Sequence, residues 1–275
     1  MKEMTTREVQ LVCLDILKDV HEFCVKNNIR YSLSGGSLLG AIRHNGFIPW
    51  DDDVDIQMPL PDYDRFIKTY QSNMGYELFA HEKDGSDVRI RIARVCDMNK
   101  TYVDQGPYTW NSKDTGVWID VLPVFGAPSN MDEFVNYHKK LQWYARRMLW
   151  WRLSKADMSQ HKFFKSKKLK LRFLLRKFRG LFVSCSILDD YLTFLRKIDY
   201  RESDYICASH HYGIGEWQPK LFMEKFELHT FEDSQFYIMT EFDSVLKKLY
   251  GNYMILPPIE SRHIHDKHPY YWKEK

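Results

Sequence analysis

The sequence predicts an α+β fold, and three observations predict it. Apolar residues recur at helical spacing over 9–24, 62–74 and 132–153, and between these lie short strand-like runs at 31–34, 53–56, 88–95 and 116–123. Two of the strand-like runs carry aspartates inside apolar surroundings. From Lys139 to Arg179 there are fifteen Lys/Arg and one acid, Asp157, interleaved with aromatic residues, which reads as a basic helical insertion. The chain divides accordingly: 1–130 as the core, 131–200 as the insertion, and 201–275 as a part that completes core and site.

The first element is a helix. Thr5 followed by Glu8 is a capping box, and Val9, Val12, Cys13, Ile16, Leu17, Val20 and Cys24 form its apolar stripe up to about Asn27. Tyr31 to Ser34 reads as a short strand. Gly35-Gly36 then permits a tight turn, and 37–44 reads as a helix with Leu38, Leu39 and Ile42 on its apolar side. A glycine-rich turn into a helix N-terminus presents backbone N–H groups to an anion. Ser37 belongs to that turn, and Arg43 adds a planar fork suited to phosphate.

The acidic strand follows: Trp50-Asp51-Asp52-Asp53-Val54-Asp55-Ile56. Residues two apart on a strand share a face, so Asp53 and Asp55 aim at one spot while Val54 and Ile56 face the core. Neighbouring carboxylates repel, and a divalent cation removes the conflict. Hard oxygen ligands completed by substrate phosphates describe a Mg²⁺ site, with Mn²⁺ as a substitute. Residues 62–74 read as a helix and 76–81 as a strand. Val88 to Val95 alternates as a strand, with Arg89 and Arg91 on a face that is either solvated or lines an anion site.

In Val117-Trp118-Ile119-Asp120-Val121-Leu122 an acid sits within an apolar strand. A lone buried carboxylate is costly unless paired, hydrogen-bonded or metal-bound. A neighbouring loop can satisfy it; with Asp53 and Asp55 present, Asp120 reads as a third member of a metal and catalytic cluster. Helices are expected at 132–153, 161–181 and 188–198. Residues 205–217 read as a loop, 226–229 and 236–239 as strands, 241–250 as a helix stopped by Gly251, and the rest as an extended tail.

Composition narrows the function. A net charge of +3 over 275 residues gives no reason to expect a nucleic-acid partner. The five scattered cysteines read as reduced and cytosolic. No run of about 18 apolar residues is available for a membrane span, and acids and bases interrupt the N-terminus, so no signal peptide is expected. The expected place is the cytoplasm, with peripheral contact at the inner membrane face. The basic aromatic segment 139–180 reads as a surface for anionic membrane, for an anionic polymer, or as a solvated helical face. Neither Cys207, His210 and His211 nor His263, His265 and His268 has the spacing of a closed zinc site.

Gly35-Gly36-Ser37-Leu38-Leu39-Gly40, Ala41-Ile42-Arg43-His44, the block from Gly46 to Asp55, and Tyr63-Asp64-Arg65-Phe66 together resemble the LicD family of phosphocholine transferases and the fukutin-type phosphotransferases. Trp118 to Pro123 looks like the family's second acidic strand. Leu249 to Met254 with Leu256-Pro257-Pro258 looks like its C-terminal block. About 130–220 is unmatched. The resemblance implies a nucleotidyltransferase-like mixed sheet flanked by helices. It implies transfer of a phosphoalcohol, typically phosphocholine from CDP-choline, to a glycan hydroxyl or its lipid-linked precursor; CDP-ribitol and CDP-glycerol are alternative donors. It makes Asp53 and Asp55 metal ligands, Asp120 a ligand or the base, and Gly35, Gly36, Ser37 and Arg43 phosphate holders. Arg94 stands where many members carry Lys. Arg262 and His265 are further candidates for the donor phosphates. Trp110, Tyr108, Trp118, Tyr212 and Trp217 are candidates for a choline cage. Competing readings are nucleotidyl transfer and a non-catalytic binding protein.

Overall fold

The structure is a computed structural model. It describes residues 1–275 except 107–108, 112–113, 158–163, 165, 209–212, 263–268 and 275, and the side chain of Ser86. His210, His211, His263, His265, His268, Tyr108 and Tyr212 therefore lie outside the described residues.

A mixed sheet organises the chain. It contains β2 (Ser32–Leu33), β3 (Asp55–Pro59), β4 (Glu77–Phe79), β5 (Ala93–Asp97), β7 (Val117–Ala127), β8 (Tyr205–Ala208) and β9 (Gln218–Pro219). The strand order is β2-β3-β7-β5-β4, with β8 and then β9 added beside the far half of β7. Only β3 and β7 run parallel; the other pairs are antiparallel. The eleven residues of β7 hold this together: one edge pairs with β3, and the other pairs with β5 at Val117–Val121 and with β8 at Val124–Ala127.

Helices flank the sheet. Helix α1 (Thr6–Lys26) starts from the expected capping box: Thr5 Oγ1 accepts from the Glu8 N–H, and Glu8 Oε2 accepts from the Thr5 N–H. Its stripe of Val9, Val12, Cys13, Ile16, Leu17, Val20 and Cys24 is buried on β7 and β5. Burying each larger apolar side chain stabilises by roughly 1.5–3 kcal/mol. Helix α2 (Gly35–His44) follows β2, and α3 (Leu60–Thr69) packs Tyr63, Phe66 and Ile67 on β3 and β7. A short α4 spans His81–Asp84.

Three further helices follow β7: α5 (Met131–Ser154), α6 (Lys167–Gly180) and α7 (Ile187–Leu195). Asn130 caps α5, its Oδ1 accepting from the Asp132 and Glu133 N–H groups. Just past α7, Arg196 grips Asp64 of α3 with two bonds of 2.9 and 2.8 Å. A hairpin of β10 (Phe226–Phe231) and β11 (Ser234–Met239) precedes α8 (Phe242–Tyr250). A second small sheet joins β1 (Lys2–Glu3), β12 (Tyr270–Trp272) and β6 (Thr101–Val103).

Several expectations need correction. Helix α3 ends at Thr69 rather than 74, because Tyr70 turns extended and Ser72 Oγ collects the Met74 and Tyr76 N–H groups. Residues 88–92 are not strand. Their alternation persists, with Val88 and Ile90 buried and Arg89 and Arg91 half-buried, but no neighbouring strand pairs with them. A single bridge joins Val88 to Asn111. Residues 205–208 are strand β8 rather than loop, completed by pairing with β7. The tail returns as β12, and α7 stops at Leu195. The expected start of α6 at His161 falls outside the described residues.

Candidate active site

Strand register builds the centre of the site. Asp55 opens β3 and is the Cα partner of Asp120 on β7; Asp120 is in turn the partner of Arg94 on β5. Residues opposite one another on adjacent strands share a face, so Asp55, Asp120 and Arg94 form a row across three strands. The Asp120 N–H donates to the Val54 carbonyl at 2.8 Å, fixing the row's height. Arg94 Nε donates to Asp120 Oδ1 at 2.6 Å, and its Nη2 reaches Oδ2 at 3.4 Å. The guanidinium lies over Trp118 at 4.2 Å and Trp110 at 4.8 Å.

Asp53 precedes the ladder by two residues, so the regular strand begins later than the sequence implied. Val54 and Ile56 are fully buried, as their alternation requires. Burial pushes the Asp53 carboxyl well above the usual carboxylate range, and Asp55, Asp51, Asp120 and Asp52 push it further.

The acidic loop is pinned from below by α1. Gln10 Nε2 donates to the Asp51 carbonyl at 2.7 Å and to the Ile48 carbonyl at 3.4 Å. Cys13 Sγ lies 3.5 Å from the Trp118 carbonyl and 3.9 Å from that of Asp52. Sequence reasoning missed Gln10. Its signal was a polar side chain between Val9 and Cys13 on an otherwise apolar stripe. It also missed Glu232, in the β10–β11 turn, which accepts from the Phe47 N–H and pairs with Arg7. That pairing holds the Glu232 carboxyl below its ordinary range.

The turn into α2 carries its own constraints. Gly35 has φ of 52°, a left-handed conformation that favours glycine. At Gly36 a Cβ would stand 2.6 Å from Asp51 Oδ2, so the bare backbone lets the acidic loop close on the helix start. Ser37 is buried, and its Oγ accepts the Asp55 N–H at 2.9 Å, tying α2 to β3. Gly35, Gly36 and Ser37 thus converge with the aspartates.

Arg43 and Arg262 form a separate basic group. Arg43 Nη1 donates to the Tyr253 carbonyl at 2.8 Å, and Nε donates to His44 Nε2 at 3.0 Å. Burial lowers the Arg43 pKa, and Arg262 lowers it further. Arg262 lies over Trp50 at 5.0 Å and donates to the Pro257 carbonyl. His265 lies outside the described residues.

Among the described residues, no three His, Cys, Asp or Glu side chains stand as a formed metal cage. The sequence reads Asp120 as a third ligand or as the base; in the structure its carboxylate is paired with Arg94. The donor chemistry nevertheless fits a hard divalent cation. Buried acids crowd Asp53, and Asp53 and Asp55 would supply carboxylate oxygens to such an ion.

Three of the aromatic candidates for a choline cage are otherwise engaged. Trp110 and Trp118 are buried, and both lie against Arg94. Trp217 stacks on Tyr205 at 4.1 Å and donates to the Pro128 carbonyl.

Comparison with known proteins adds three relations. The chain is 29% identical over 271 residues to the lipopolysaccharide cholinephosphotransferase LicD of Haemophilus influenzae, covering 96% of this chain and 97% of that one. It is 34% identical over 122 residues to the human ribitol 5-phosphate transferase FKRP, covering 39% of this chain and 24% of that one. Residues 28–185 match the family described as LicD/FKTN/FKRP, nucleotidyltransferase domain. That match spans more than half of the chain and includes the acidic loop, β3, β5 and β7, so the chain belongs to the LicD/FKTN/FKRP nucleotidyltransferase-domain family.

Proposed function

We propose that this protein is a transferase that moves a phosphoalcohol group from a CDP-alcohol to a hydroxyl of a glycan, and that the group is phosphocholine. The carrying observation is the row of Asp55, Asp120 and Arg94 with Asp53 beside it. Choline is favoured over ribitol because likeness to the cholinephosphotransferase runs along nearly the whole chain, whereas likeness to the ribitol 5-phosphate transferase covers a minority of it.

Phosphoryl transfer asks a protein mainly for positioning and charge neutralisation. In this reading Asp53 and Asp55 hold Mg²⁺, or Mn²⁺ in its place. The bound cation supplies charge stabilisation to the phosphate oxygens. The Gly35-Gly36 backbone and the start of α2 hold the donor diphosphate. Asp120 takes the proton of the acceptor hydroxyl at a carboxylate oxygen, and Arg94 orients it. Arg43, Arg262 and His265 serve the nucleotide side.

The acceptor is read as a cell-surface glycan or its lipid-linked precursor, met at the cytoplasmic membrane face. Helix α6 supports this: it carries seven Lys/Arg and no acid, and leaves Leu171, Leu175 and Phe178 exposed. No helix among the described residues is long and apolar enough to cross a membrane.

The test is CDP-choline labelled in the choline, incubated with and without Mg²⁺. Metal-dependent transfer of the label to the acceptor with release of free CMP, lost in Asp53→Asn and Asp55→Asn, is the expected result. Label released as free phosphocholine while CMP appears on the acceptor would establish nucleotidyl transfer instead. Normal turnover by Asp53→Asn would remove the assignment.

A further inference from the structure

A cavity of about 530 Å³ opens beside Asp120, and neither the family relation nor the donor reading gives it a role. Its walls come from 89–94, from β7 and from α5. Five guanidinium groups line it, those of Arg89, Arg91, Arg94, Arg146 and Arg152, against the single carboxylate of Asp120. The rest of the lining is aliphatic, including Ile90, Leu122 and Met148. Burial lowers the Arg89 pKa, which reports a guanidinium partly withdrawn from water.

We propose that this cavity is the acceptor subsite and that it recognises a phosphate ester carried by the acceptor, an inference that rests on the transferase reading above. Three observations carry it. Planar guanidinium forks match phosphate oxygens bidentately, and several of them around one cavity attract a polyanion more strongly than scattered solvated lysines do. The cavity shares Asp120 and Arg94 with the carboxylate row, so an acceptor anchored there presents its hydroxyl beside the proton acceptor. In-line displacement requires the attacking and leaving oxygens on opposite sides of phosphorus. Along the sheet, α2 stands against β2 and β3, whereas the cavity stands against β7 and β5, on the other side of the Asp55–Asp120 pair. The donor diphosphate and the acceptor phosphate thus have separate anion sites flanking the acids. The bonds balance simply: the acceptor oxygen forms a bond to phosphorus, its proton goes to Asp120, and the bond to the leaving CMP oxygen breaks. The acceptor's own phosphate undergoes no change.

The phosphate can belong to the glycan or to the diphosphate of a lipid carrier, and two probes separate these. The full chain is titrated calorimetrically with glucose 6-phosphate, with geranyl diphosphate and, alongside, with CDP-choline. Arg146 is exposed on α5, so Arg146→Gln and the charge reversal Arg146→Glu leave packing intact; Arg152→Gln is the second site. At least one phosphate probe is expected to bind, to weaken about tenfold in each Gln variant and more in Arg146→Glu, with CDP-choline affinity unchanged. Tighter glucose 6-phosphate supports a phosphate on the glycan; tighter geranyl diphosphate supports a lipid-linked diphosphate. Probes that ignore all three substitutions overturn the subsite. So does a parallel loss of CDP-choline affinity, which assigns the cavity to the donor. A wild-type chain that ignores CDP-choline yet loses a phosphate probe on Arg146→Gln sinks the donor reading and supports the anion site.

Discussion

Arg94 and Asp120 are cross-strand partners joined by a 2.6 Å bond from Nε to Oδ1, with the guanidinium set against the rings of Trp118 and Trp110, which meet each other edge to face. The pair therefore has three supports: strand register, a charge-assisted bond and two aromatic faces. Removing one member of such a largely buried pair strands the other's charge. Arg94→Ala is expected to lower stability by about 3 kcal/mol in urea unfolding. Arg94→Lys keeps the charge but loses the planar fork, so it should unfold near the wild-type midpoint while turnover falls about tenfold. Equal turnover of Arg94→Lys and wild type would show that the fork is dispensable.

Gly36 marks where α2 and the acidic loop meet. In Gly36→Ala the new methyl meets Asp51 Oδ2, and the Asp51 carboxylate must shift among the neighbouring acids. Misplacement of reacting groups by about 1 Å costs on the order of 100-fold in rate. The variant should lose about that much kcat while its melting temperature moves by only a few degrees. Kinetics and calorimetry on one preparation decide it.

Gln10 performs a similar service from α1. Gln10→Ala removes the buried side-chain donor to the Asp51 carbonyl, while the Ile48 carbonyl still accepts from the Asp51 N–H. The expected cost is about 1–3 kcal/mol. Hydrogen exchange should rise first at 48–53, before the rest of α1 or β3. Uniform acceleration across the sheet would show that Gln10 supports the whole core rather than the loop.

The capping box gives a pH dependence with a definite sign. The Thr5 N–H, the Trp272 indole and the Thr5 hydroxyl hold the Glu8 carboxyl at about 2. The free side chain titrates near about 4.3. Between these values the unfolded chain takes up a proton that the folded chain refuses. The stabilisation is therefore fully present above about pH 4.3 and is lost as pH falls through about 2. Urea midpoints for wild type and Glu8→Gln should differ at pH 7 and draw together toward pH 2. A gap independent of pH contradicts the assignment.

Helix α6 offers an independent check on the proposed membrane contact. Phe178 and Phe182 are exposed and touch edge to face, beside Arg176, Lys177 and Arg179. Phe178→Ser with Phe182→Ser should reduce sedimentation with phosphatidylglycerol vesicles. Binding by wild type should weaken between 50 and 500 mM salt, concentrations chosen to span roughly a threefold change in Debye length. Salt-insensitive binding to neutral vesicles would contradict the electrostatic part.

Much of this architecture was legible because local rules and tertiary packing agree. The capping box, the α1 stripe and the alternation at 53–56 each encode their environment directly. Residues 88–92 misled because alternation reports which side chains are buried, while a strand also needs a continuous ladder; toward one, among the described residues, they contribute only the Val88–Asn111 bridge and the bond from the Arg89 N–H to the Trp110 carbonyl. Residues 205–208 misled in the opposite way: their strand exists because β7 extends past β5 to receive them. At the site, the glycine turn and the aspartates announced themselves by residue type. The Arg94–Asp120 pairing did not, since register between distant strands is set by the whole sheet. The cavity did not either, because Arg146 and Arg152 reach it only through the way α5 folds back.

The path of β7 has a consequence for how such a protein can change. The chain leaves this strand at Ala127 and comes back at Tyr205, which is Ala127's direct cross-strand neighbour. Everything between is an excursion whose two ends are stapled together by the ladder. Such an excursion can grow, shrink or be exchanged at small entropic cost. The acids stay on the permanent scaffold, while the far wall of the arginine-lined chamber rides on the replaceable part. A lineage can thus acquire a new glycan partner by rewriting one detour, leaving the chemistry untouched.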